Sequence, residues 1–130
     1  MSALSDHAEK LLLDWLMTTG SAARPTAWYV ALFTAAPSDS GGGTEVSAGG
    51  YSRKSVTFNA ASTPGGSTTN SNTVTWTASG AGFGTVSHVG IFDSLTSGNL
   101  LWHGALTTAR VVNDGDTIRF VSNNLTLALA

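Results

Sequence analysis

Apolar residues at the start of the chain recur with the period of a helix. Leu4, Ala8, Leu11, Leu12, Trp15 and Leu16 fall at i, i+4, i+7, i+8, i+11 and i+12, the stripe of an amphipathic α-helix from Leu4 to Leu16. Ser5 or Asp6 is placed to cap its start, with Glu9 three residues after Asp6 in a capping-box pattern, and Gly20 to end it. Asp6, Glu9, Lys10 and Asp14 mark the polar face, and His7 near the helix start faces solvent.

After Pro25 the period shortens. Segments rich in β-branched and aromatic residues, bounded by Gly, Ser, Asn or Asp, predict strands at Trp28–Thr34, Ser52–Asn59, Thr73–Ala78, Thr85–Asp93, Leu100–Thr107, Ala109–Val112 and Thr117–Leu129, the last broken near Asn123 and Asn124. Asn113-Asp114-Gly115-Asp116 reads as a tight turn, with a hairpin expected between Val112 and Thr117. Two long loops are expected: the glycine-rich stretch Pro37–Gly50, and the Ser/Thr/Asn/Gly segment Ala60–Asn72 around Pro64-Gly65-Gly66. Spaced strands without interleaved helices indicate a mainly β protein, an antiparallel sandwich or barrel-like domain with one N-terminal amphipathic helix. That helix should cover an open edge or end of the β-structure, or pack on a neighbouring subunit. At 130 residues one core suffices. A single domain 1–130 is expected, with the helix in 1–20 and the β-domain in 25–130.

Composition narrows the function. Only 11% of the residues are charged against 42% hydrophobic, well under the roughly 25% charged of an average soluble domain. The polar remainder is Thr, Ser, Asn and Gly, an uncharged surface suited to packing against neighbours. A net charge of −2 with six Lys and Arg argues against direct nucleic-acid binding, which needs a basic stripe to neutralise phosphates. The absence of cysteine excludes disulfides and thiolate zinc sites. An N-terminus without a basic leader, and no apolar run of 18 residues, lead us to expect neither a signal peptide nor a membrane span.

Candidate chemistry is sparse. His88 and His103 lie on strands and, with Asp93, are the obvious acid/base or metal groups, yet nothing has H-x-H or H-x-x-x-H spacing. The glycine runs Gly41–Gly43 and Gly80–Gly84 precede no helix pattern and so are turns rather than phosphate cradles. Ser94 and Ser97 lack the glycines of a nucleophile elbow, and Asp93, Asp114 and Asp116 read as turn residues ahead of a glycosidase pair or calcium cluster. No catalytic residue, no metal and no cofactor is expected. Trp28, Trp76 and Trp102 belong to core or subunit interface, with a sugar-stacking role as the alternative for an outward ring.

Three blocks, Tyr29-Val30-Ala31-Leu32-Phe33-Thr34 with Ala36-Pro37, Gly43-Thr44-Glu45-Val46, and Gly50-Tyr51-Ser52-Arg53, together resemble a family of small phage proteins commonly labelled tail-fibre proteins. The similarity continues through Val86–Asp93, Gly98–Gly104 and Gly115–Phe120. Where that family often has a further glycine, this chain reads Val121-Ser122-Asn123-Asn124-Leu125, and Asn can take the left-handed backbone glycine would supply. The resemblance implies a virion protein of a tailed phage, made in the host cytoplasm. A compact chain with no stalk repeat is not a whole fibre. We therefore expect a capsid-decorating or cement subunit, with a tail-fibre or tail-tip component in host attachment, glycan binding included, as the alternative. Expected partners are its own copies, most plausibly a homotrimer, and the major capsid protein or tail proteins; the interface candidates are Leu4, Leu11, Leu12, Trp15, Leu16, Trp28, Trp76 and Trp102.

Overall fold

The computed structural model of the protein describes residues 2–62 and 66–128. A short strand β1 (Ser2–Leu4) leads into helix α1 (Asp6–Met17), followed by β2 (Trp28–Ala35), β3 (Thr44–Glu45), β4 (Lys54–Val56), β5 (Ser67–Thr69), β6 (Val74–Thr77), β7 (Gly84–Phe92), β8 (Leu100–Val112), β9 (Thr117–Phe120) and β10 (Thr126–Ala128). The main sheet runs β1-β8-β7-β2-β3, and β4 shares with β3 the outer edge of β2. Two ribbons, β6-β9 and β5-β10, complete the protein. All pairings are antiparallel, and the arrangement is sandwich-like rather than a closed barrel.

The central strand shows why. In β2, Val30, Ala31, Leu32 and Phe33 are buried in succession, so both faces of the strand are covered. Val30 and Leu32 join Val86, Val89 and Ile91 of β7 and Val74, Trp76 and Ile118 of the β6-β9 ribbon in the main core. Outside it, Ala8 of the helix, Ala31, Phe33, Leu100 and Leu101 are also buried. Gly90 allows this second layer to close, since a Cβ there would come within 2.9 Å of Leu100 Cδ1 and Phe33 Cε1. Trp76, 2% exposed, packs edge-on against Phe120 at 6.0 Å and donates its indole N–H to Ser52 O at 2.7 Å.

Several expectations are adjusted. The helix caps on Ser5, whose hydroxyl accepts from Ala8 N, and Asp6 is its first residue, so no Asp6–Glu9 capping box forms. Its C-cap is Thr18, ahead of Gly20, and Thr18 Oγ1 bonds the Asp14 carbonyl at 2.6 Å. The segments 100–107 and 109–112 are one strand with a register shift: His88 opposes Ala105 and Val86 opposes Arg110, so β8 bulges between them. The turn at Asn113–Asp116 forms, with Asp116 N donating to Asn113 O, but no hairpin follows, because β8 pairs with β7 and β9 pairs with β6. The turn passes the chain from one sheet to the other. Within the expected loops, Thr44–Glu45 and Ser67–Thr69 pair as strands. Pro64 and Gly65 lie outside the described residues, as does Leu129, the expected end of the last strand.

Asn123 adopts φ 71°, the left-handed conformation expected where the resembled family has glycine. The turn it makes is fixed by Asn70, which is fully buried. The Asn70 side chain donates to Asn72 O at 2.7 Å and Val121 O at 3.0 Å and accepts from Leu125 N at 2.9 Å. A buried amide whose groups are all used in this way holds its loop to one geometry.

Candidate functional site

The groups that drew attention as chemistry are engaged in structure. The Asp93 carboxylate accepts from the Asn99 backbone N–H at 2.7 Å and its side-chain amide at 3.0 Å, closing the 94–99 loop. Burial pushes its pKa up, but these hydrogen bonds, with that of its own backbone N–H, outweigh burial and hold it below the ordinary carboxyl value. His88 Nδ1 lies 2.8 Å from Ser87 Oγ, and His103 Nε2 lies 2.7 Å from Asp39 Oδ1. His88 and His103 therefore have separate partners. Asp114 accepts from Gly80 N and Asp116 from Asn113 N, as turn residues do. Among the described residues no three His, Asp or Glu side chains converge as a metal-binding group, and no helix is long and apolar enough to cross a membrane.

One polar network was not foreseen. Arg53, 9% exposed, forms a forked pair with Glu45 (Nε to Oε2 2.9 Å, Nη2 to Oε1 3.0 Å) and donates from Nη1 to Ser94 O and Ser97 O. Its guanidinium lies 3.6 Å from the centre of the Phe92 ring. Tyr51 donates to Glu45 Oε2 at 2.7 Å and accepts from Leu32 N at 3.0 Å. Burial, reinforced by the hydrogen bond to Glu45, holds the Tyr51 phenol far above its ordinary pKa. The residues stand in the sequence blocks that carried the resemblance, but their pairing brings together β3, β4 and the 94–99 loop and has no local signal. The network clamps this side of the sheet shut.

What remains open lies elsewhere. Ser5 ties the helix start to the sheet through its N–H to Leu101 O and its hydroxyl to Leu100 O, and Asp6 N donates to Asp39 O. Ala8 is buried and Leu11 and Leu12 half-buried, after which the helix overhangs: Leu13, Trp15, Leu16 and Met17 are 59–71% exposed. Further along β8, pairing with β1 runs only from Trp102 to Gly104. Beyond Gly104, no strand among the described residues covers that edge of β8. A cleft of about 1290 Å³ lies between this edge and the β9–β10 region, with Trp102, Leu106, Val111, Phe120, Leu125 and Leu127 among its walls.

The interface candidates are distributed accordingly. Trp76 belongs to the core of its own chain and cannot reach a partner. Trp28 and Trp102 are half-buried and pack against that core, Trp102 at the cleft. Leu4, Leu11 and Leu12 are half-buried, and Trp15 and Leu16 stand free on the overhanging helix end with Leu13 and Met17. Of the four tryptophans, Trp15 alone is widely exposed, and it sits on the helix rather than on a sheet face.

Comparison with known protein families matches residues 3–128 to the family described as Podophage GP4 fiber I protein gp80. A search of curated proteins finds no match to the chain.

Proposed function

The chain belongs to the Podophage GP4 fiber I protein gp80 family, a family of phage fibre-type proteins, and from that premise we propose that it is a non-enzymatic structural component of a phage tail fibre or of its attachment to the tail. The observation that carries the reading is the extent of the match, which takes in the helix, the main sheet, the two ribbons and the open cleft. The engagement of Asp93, Asp114, Asp116, His88 and His103 in turns and local hydrogen bonds supports a structural role over a catalytic one. The chain is compact and without stalk repeats, which suits a module at the base or tip of a fibre better than its shaft.

The capsid-decorating role expected from the sequence remains as a second reading, favoured by a small, non-repetitive β-domain low in charge and without cysteine; the family match speaks for the fibre. Quantitative mass spectrometry of purified virions separates the two. A copy number of a few per hundred major capsid proteins, retained in isolated tails, is the expected result. A ratio near one to one on DNA-filled heads overturns the fibre reading in favour of decoration, and absence from virions overturns both.

A further inference from the structure

We propose that the overhanging end of α1 docks into the β8/β9–β10 cleft of a second copy of this chain, joining subunits head to tail. From Leu11 to Met17 the helix reads Leu-Leu-Leu-Asp-Trp-Leu-Met, apolar around its whole circumference except at Asp14. A helix that is apolar all round is a buried helix. Its own chain covers only one side of it, and the bonds of Ser5 and Asp6 fix its start, so the cover for its end comes from outside the chain. A seam between symmetry-related helices would cover a narrow stripe, whereas the half-open cleft receives a broader face of the helix.

Size and charge agree with this occupant. Two turns of helix, about 10 Å long and 10–12 Å across, fill roughly 1000 Å³, comparable to the cleft of about 1290 Å³. The last turn of α1 carries no basic residue, although the carbonyl end of a helix is its negative pole and favours cations. The cleft supplies them: Arg110 and Arg119 line it against one carboxylate, Asp116, which is held by Asn113 N, and neither arginine makes an ion pair with another described residue. The helix as a whole is acidic, with Asp6, Glu9 and Asp14 against Lys10. Because the two surfaces differ, the contact is heterologous and joins subunits head to tail, into a ring where the rotation between them closes.

The inference goes beyond the proposed function, which stands if the protein is found in tails with its cleft empty. The test uses two single variants of the full chain at exposed positions, Leu16→Asp on the helix and Val111→Asp in the cleft, with Met17→Asp and Arg119→Glu as second choices should either lose its thermal transition. In sedimentation velocity the wild type should assemble, and each variant alone should associate at least about thirtyfold more weakly, as expected for a central apolar contact. An equimolar mixture of the two variants should recover one contact and sediment as a dimer, because an intact cleft then meets an intact helix. A wild type that stays monomeric to about 1 mM, the weakest range of specific binding, overturns the proposal. So does a Val111→Asp protein that assembles like wild type, or a mixture that recovers nothing.

Discussion

The two lateral sides of the main sheet are finished differently. On the β3/β4 side, a forked Arg53–Glu45 pair, Tyr51 and the 94–99 loop close over Phe92, and the polar atoms involved find partners within the chain. On the β8 side, a strand of 13 residues is covered along only its first part, and the apolar cleft beside it stands open. A chain low in charge does not leave apolar walls exposed at no cost, since each Å² of apolar surface left in water forgoes about 25 cal/mol. The contrast teaches that the closed side is built for the subunit's own stability, while the open side is the one the proposed assembly would cover.

Substitutions can break that contrast, and their effects should rank by side. Trp76→Ala, which empties the space between the two layers and removes the bond to Ser52 O, should destabilise the isolated chain most, by about 3–5 kcal/mol in denaturant unfolding. Arg53→Ala should follow at about 3 kcal/mol, because it leaves Glu45 without its counter-charge, held only by Tyr51, and two loop carbonyls without their donor; hydrogen exchange should show the 94–99 loop opening first. Leu16→Asp should change stability by no more than about 0.5 kcal/mol, as surface substitutions do, while its effect on self-association is large. An equal loss of stability from Leu16→Asp and Arg53→Ala would erase the distinction between the sides.

Titration sharpens it further. The Tyr51 phenol binds its proton more tightly in the folded chain than in the unfolded one, so its contribution is complete below the unfolded pKa of about 10. Raising the pH above 10 should therefore lower the thermal midpoint, and Tyr51→Phe should flatten that decline. Asp93 has the opposite sign: its folded pKa is depressed, so its contribution is present above the unfolded value of about 4 and is lost as pH falls through the folded one. Asp93→Asn should flatten the acid limb by a smaller amount.

Much of the fold was legible in the chain itself. The helix stripe and the longer strands follow from periods of 3.6 and 2, and Asn123 behaved as its left-handed tolerance implied. In sequence the short strands β3 and β5 have the character of loops, because two or three Thr, Ser and Glu residues carry no alternation; they form only where Phe33 or the β10 residues provide a ladder. The hairpin at Asn113–Asp116 was wrong for a related reason: turn chemistry specifies the reversal, but tertiary pairing decides which strands each arm joins. The helix stripe identifies the side that meets the sheet, yet Leu13 and Met17, off that stripe, are the exposed apolar residues on which the proposed assembly rests. The cleft had no sequence signal, since it arises from where β8 outruns β1.

Amide hydrogen exchange, compared between dilute monomer and concentrated assembled protein, tests the division of the molecule most directly. Protection should rise in α1 from Leu11 to Met17, in β8 beyond Gly104 and in β9, with β2, β3 and β4 unchanged. Protection gained instead around Glu45, Arg53 and the 94–99 loop, with the cleft unaltered, would contradict the assignment of the open side to assembly.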